Sequence, residues 1–234
     1  MRLVKLIANL GYGSQKEVRA MVRGGRVTSR TGTLFTPDSH AEHGDVLVDG
    51  QPLDPAAGVV LMMNKPVDYT CATSDPGRVV YELLPERFIR RNPVIAPAGR
   101  LDRDASGLLL LTDDGPLLHR IMSPRGLVPK VYEVRLARPL AGTEAEIFAG
   151  GALMLRSETT PLAPAVLEVL GERQARLTIT EGRYHQVRRM FAAVGNHVEA
   201  LHRSAVGGLS LDGLDSGQWR EMSGDEVARI FENT

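Results

Sequence analysis

The chain contains a single cysteine, Cys71. One thiol excludes an intrachain disulfide and a cysteine-rich metal centre, and it fits a reducing compartment. Long apolar runs are missing as well. Val59-Val60-Leu61-Met62-Met63 falls far short of the roughly 20 residues a membrane helix needs, and no apolar segment follows the basic first residues. A cytoplasmic protein without a membrane partner is therefore expected. Internal repeats, low-complexity tracts and heptads are also lacking, which excludes solenoids and coiled coils. Net charge is lacking too: 28 basic residues balance 28 acidic ones. The molecule is no polycation, so affinity for nucleic acid has to come from uneven placement of charge.

That placement is uneven. Residues 1–30 carry Arg2, Lys5, Lys16, Arg19, Arg23, Arg26 and Arg30 against Glu17 alone, whereas acids outnumber bases from Ala205 onward. Leu3, Leu6, Ile7 and Leu10 form a helical stripe, and Ser14-Gln15-Lys16-Glu17 has capping-box spacing ahead of Val18, Met21 and Val22. Two short helices follow, the second ending at Gly24-Gly25. Lys16, Arg19 and Arg23, with Arg26 on the outgoing turn, make a small basic face. An ordinary solvated helix surface is the plainer reading, but here the interspersed acids are nearly absent. The turn-rich stretch Asp49 to Pro55 sets a boundary, giving units at 1–54 and 59–234.

At 234 residues with 43% hydrophobic side chains, the chain accommodates one large unit beside that small one. Beyond Val59 short strands dominate. Tyr132 to Leu136 and Arg176 to Thr180 alternate apolar with polar residues, the pattern of half-buried antiparallel strands. Val187, Met190, Phe191 and Val194 recur at helical spacing before Gly195-Asn196, predicting a helix over about 185–194. The fold class is α+β: a small α-rich module, then a mixed, mainly antiparallel sheet with flanking helices.

The most informative stretch runs from Gly99 to Thr112, where an acidic loop, Asp102-Arg103-Asp104, abuts the apolar strand Leu108 to Leu111. A carboxylate on a loop closed by Gly107 and held by rigid sheet suits a nucleophile or base. Turn residues leading into a strand are the competing explanation. A second stretch, Glu181 to Met190, sets a glycine turn and several cations ahead of the predicted helix. An arginine from it would orient the carboxylate, or else neutralise phosphate; sequence does not allocate the roles. His185 and Gln186 are expected to cap the helix or satisfy loop backbone rather than bind metal.

Met1 to Thr28, with Gly11-Tyr12-Gly13-Ser14 between the helices, resembles the RNA-binding module of ribosomal protein S-four. Ser29 to His43 is longer and more polar than that module's usual turn. Three further blocks resemble pseudouridine synthases of the RsuA type, enzymes of small-subunit ribosomal RNA: Leu61 to Tyr69, Gly99 to Gly115, and Glu181 to Arg203. Their order and spacing agree, and one departure is Asp68, where the family commonly has glycine.

The resemblance implies an isomerase that cuts the bond from uracil to ribose, turns the base and rejoins it through carbon-5, with no cofactor and no metal. It implies that Asp102 is the essential aspartate, acting as nucleophile or as base toward a ribose proton. Arg188 corresponds to its arginine partner and Tyr132 to the tyrosine that stacks on the uracil. Arg100 corresponds to the arginine that fills the gap left by the flipped uridine. Lys16, Arg19, Arg23, Arg26 and Arg183 are expected to meet RNA. The implied partner is ribosomal RNA in a small-subunit assembly intermediate, met by a monomer. Alternatives are a large-subunit target, a non-catalytic assembly protein, and a glycosidase that releases uracil.

Overall fold

A computed structural model describes residues 1–232. Both expected N-terminal helices form, at Leu3–Asn9 and Gln15–Arg23. The capping box closes the second: Ser14 Oγ accepts from the Glu17 amide at 3.3 Å, and the Glu17 carboxylate accepts from the Ser14 amide at 2.7 Å. Short strands Val27–Ser29, Val46–Val48 and Gln51–Pro52 complete the unit, with the tight turn Asp49-Gly50 in left-handed backbone between the last two. Leu3, Ile7, Val18, Val27 and Val46 bury a core belonging to this unit alone.

The larger unit is built on a sheet whose main path runs Val166–Gly171, Gln174–Ile179, Lys130–Leu136, Val198–Val206, Ala105–Thr112, Val60–Lys65 and Trp219–Glu221. Along this path every neighbouring pair is antiparallel except Val198–Val206 with Ala105–Thr112, which is parallel. Successive side chains of a strand point to opposite faces. Leu108 and Leu110 accordingly pack with Ile121, Met222 and Ile230, while Leu109 and Leu111 join Val187, Met190 and Phe191 on the other side. Burial on both faces explains why this strand is an unbroken apolar run rather than an alternation. The predicted helix forms at Gln186–Ala193 and covers one face. No helix among the described residues is long and apolar enough to cross a membrane.

The two units are joined by specific contacts. Arg87 forms a two-pronged ion pair with Asp54, whose amide donates to the Tyr12 hydroxyl at 3.0 Å, and the Arg87 guanidinium lies 5.2 Å from the Tyr12 ring centre. The Asn92 amide donates to the Asn9 carbonyl at 2.8 Å. Between the units, the buried pair Arg91–Asp113 (2.8 Å) binds the connection: Arg91 donates to the Pro55 and Ala56 carbonyls, and Asp113 accepts from the Gly58 amide.

One expectation needs correction. Gly107 does not close the acidic loop, because the strand already starts at Ala105. Gly107 sits inside it at φ +112°, where a Cβ would overlap the Arg203 carbonyl oxygen, so the parallel strand can approach only a glycine here.

Candidate active site

Asp102 stands at the end of a loop that is anchored along its length. The Gly99 carbonyl accepts from Arg203 at 3.4 Å, and the Leu101 amide meets the Cys71 sulfur at 3.5 Å. The Ala105 amide donates to the Asp102 carbonyl at 3.1 Å, and the Lys65 ammonium donates to the Ala105 carbonyl at 2.7 Å. The backbone of Asp102 is thus fixed while its side chain stays accessible. Asp68 completes the surroundings: it takes the left-handed φ of +69° that the family's glycine would take, and its amide donates to the Arg103 carbonyl at 2.7 Å. Asparagine and aspartate tolerate that conformation, so the turn survives the substitution.

The open cleft above Asp102 is bordered by Arg100, Tyr132 and His185, with Leu101, Ile179 and Leu201 as apolar wall. Two basic groups face the carboxylate from the Glu181–Met190 segment. His185 Nε2 lies 3.3 Å from Asp102 Oδ1, and Arg188 Nε lies 3.9 Å from Oδ2. Arg188 is held more tightly elsewhere, at 2.7 Å from the Asp104 carboxylate and 2.8 Å from the Val198 carbonyl. Its Nε is buried and lacks a hydrogen-bond partner. This unpartnered buried donor therefore sits beside Asp102, at 3.9 Å from its carboxylate.

Gln186 satisfies loop backbone as expected: it accepts from the Arg183 amide at 2.9 Å and donates to Glu181 at 2.9 Å. His185 occupies the expected N-cap position, its carbonyl accepting from the Arg189 amide at 3.0 Å, but its side chain makes no cap bond: its backbone is in the left-handed region at φ +48° and its ring lies beside Asp102.

Tyr132 is nearly buried and lies opposite Arg203 across neighbouring strands. Facing residues of an antiparallel pair share one side of the sheet. Arg203 donates from Nε to the Leu108 carbonyl at 2.7 Å and approaches the Tyr132 hydroxyl at 3.5 Å. Lys65, fully buried, donates to the Pro66 and Ala105 carbonyls, and burial lowers its ammonium pKa against the opposing pull of Cys71, Asp102 and Asp104. Burial, with the charge of Arg203, also pushes Lys130 down to about 8. Arg203 beside the tyrosine and Lys65 behind the aspartate thus place positive charge under the site, which favours anionic charge there.

Arg100 is exposed at the rim. Arg183, expected to meet RNA, lines the cleft partly exposed and donates to Glu181, Glu158 and the Thr160 and Pro161 carbonyls. Arg26 is bound by both oxygens of Asp49 at 2.8 and 2.6 Å, and Arg19 lies 3.9 Å from Asp38. Lys16 and Arg23 are exposed. Sequence pattern does not single out Lys65 or Arg203 as neighbours of the site, nor the His185 side chain as a neighbour of Asp102. Arg203 had a usable signal: it follows Leu201 by two residues in a strand, so it points to the same side as a core leucine.

An anchored carboxylate flanked by two basic side chains, with a tyrosine in the same apolar-walled cleft, is an arrangement suited to acid–base or nucleophilic chemistry. The chain belongs to the RNA pseudouridylate synthase family, whose model matches residues 59–193. It is 45% identical to the ribosomal small subunit pseudouridine synthase A of Escherichia coli (strain K12), over 98% of this chain and 100% of that one. The uncharacterized RNA pseudouridine synthase YtzG of Bacillus subtilis (strain 168) is 41% identical, over 99% of this chain and 99% of that one. A crystal structure of a pseudouridylate synthase superposes with a TM-score of 0.68 at 34% identity, covering 98% of this chain and 99% of that one. The enzyme is an isomerase of RNA uridine.

Proposed function

We propose that this enzyme converts a uridine of small-subunit ribosomal RNA into pseudouridine, acting as a monomer on an assembling particle in the cytoplasm. The 45% identity to a small-subunit enzyme along essentially the whole of both chains carries the choice of target. Residues 1–54 hold the RNA through Lys16, Arg19, Arg23 and Arg26, and residues 59–234 do the chemistry. The contacts between the units fix the distance from basic face to cleft.

In this reading the flipped uracil lies against Tyr132, and Arg100 at the rim takes its place in the RNA stack. Asp102 is aimed at the ribose by His185 and Arg188. It either attacks C1′, expelling uracil through N1, or takes the C2′ proton to leave a glycal. The uracil turns within the apolar walls, which keep it from diffusing away. C5 then bonds to C1′, the C5 proton leaves, N1 regains a proton, and Asp102 is restored. Atoms balance without an external oxidant or group donor.

Carbodiimide-dependent reverse-transcription stops, mapped after incubation with partly assembled small-subunit particles, test the target. One new stop with wild-type protein is expected. A stop confined to large-subunit RNA would move the target to that subunit.

A further inference from the structure

Tyr184 is the one exposed ring among the eleven Phe, Tyr and Trp residues of the chain, all of which are described. It is 69% exposed, yet it is not a loose side chain. One face stacks on the His185 imidazole, with ring centres 3.9 Å apart and planes within 16°. The other end of the imidazole touches Asp102 at 3.3 Å. The backbone behind the ring is anchored, because the Tyr184 carbonyl accepts from Arg189 at 3.1 Å and Arg189 is in turn held by Glu158 at 2.8 Å. A stacked pair of rings therefore runs outward from the carboxylate, past the cleft-lining His185, and its outermost ring meets solvent.

From this geometry we infer that Tyr184 is a stacking platform for an unpaired base of the RNA, supplied by a nucleotide that flanks the flipped uridine. The inference rests on the proposed reading that RNA enters this cleft. The ring is planar and amphipathic, its phenol reaches water, and any base offers a π face to it, so the platform adds affinity with little dependence on sequence. Stacking also constrains where the flanking sugar lies, and through it the register of the target ribose over Asp102. Nothing in the fold requires an aromatic here: the ring contributes to none of the buried clusters.

The test compares wild type, Tyr184→Phe and Tyr184→Ala on small-subunit ribosomal RNA, by steady-state tritium release and by fluorescence anisotropy of labelled RNA. Tyr184→Ala is expected to raise KM and the RNA dissociation constant about 5- to 100-fold, with a much smaller change in kcat and an unchanged melting temperature. Tyr184→Phe should stay within about twofold of wild type, since the stacking face is kept. Replacing the flanking nucleotides one at a time by abasic sites should erase the difference between wild type and Tyr184→Ala at one position. Equal affinities of wild type and Tyr184→Ala, or a penalty unaffected by either abasic site, would overturn the platform. Wild-type turnover in the same experiment reports separately on the target RNA, and the anisotropy comparison stands even where turnover is absent.

Discussion

Arg203 faces Tyr132 across neighbouring strands, with its guanidinium 3.5 Å from the phenol oxygen and 6.0 Å from the ring centre. The same side chain bonds the Gly99 carbonyl, three residues before Asp102, and the Leu108 carbonyl in the strand that follows. One buried cation thereby couples the tyrosine, the approach to the aspartate and the central strand. Arg203 is a positioning residue, and it ties together segments far apart in the chain.

Arg203→Lys keeps the charge and loses the planar fork, so the three groups are no longer held at once. The melting temperature is expected to fall, by the equivalent of about 2 kcal/mol, and kcat more than KM. Denaturant titration and steady-state kinetics check both. A variant matching wild type in kcat would show that Tyr132 needs no such anchor.

Gly107→Ala introduces a Cβ into the Arg203 carbonyl at a left-handed backbone position. Strain of this kind costs about 1–3 kcal/mol. Thermal unfolding should show a fall of several degrees, and activity should decline with it because the displaced strand carries the Asp102 loop.

Arg188 is the donor aimed at Asp102, through an Nε that has no other partner. Lysine has no equivalent group. Arg188→Lys is expected to lower kcat by about 10²-fold or more, in keeping with the loss of an orienting contact, while RNA affinity holds. Asp104→Ala, which releases the competing grip on the guanidinium, should retain activity. Single-turnover rates distinguish the two outcomes.

Lys130 supplies a pH dependence whose sign follows from its folded-state value of about 8, below the ordinary lysine range. From that value up to the unfolded-state pKa, the unfolded chain binds more protons than the folded one, so stability contributed here rises with pH. Below pH 8 the partly buried ammonium is a destabilising charge. Lys130→Met should therefore be more stable than wild type near pH 7, and the advantage should shrink between about pH 8 and 10. Melting curves across that range give the answer, and a constant difference would contradict it.

Much of the fold was legible because local signals agreed with the tertiary structure. The Ser14–Glu17 box, the Asp49-Gly50 turn and the Val187–Val194 periodicity each mark an element that forms. The acidic loop was legible as a site because it abuts a strand buried on both faces. What sequence did not show depends on contacts between distant segments. Gly107 looked like a loop residue because the strand that crowds it lies some hundred residues further on. His185 read as a cap, which its position is, but the approach of its side chain to Asp102 depends on a segment some eighty residues away, and Arg183 looked free because Glu158 and the Thr160 and Pro161 carbonyls reach it from another loop.

The most direct measurement is tritium release from ribosomal RNA labelled at uridine C5, made with wild type and Asp102→Asn while RNA binding by both is followed in parallel. Asparagine keeps the shape and removes the charge. Wild type should release tritium, and Asp102→Asn should bind RNA equally well with release reduced by about 10³-fold or more. Release by Asp102→Asn at the wild-type rate would contradict the assignment of the chemistry to this carboxylate.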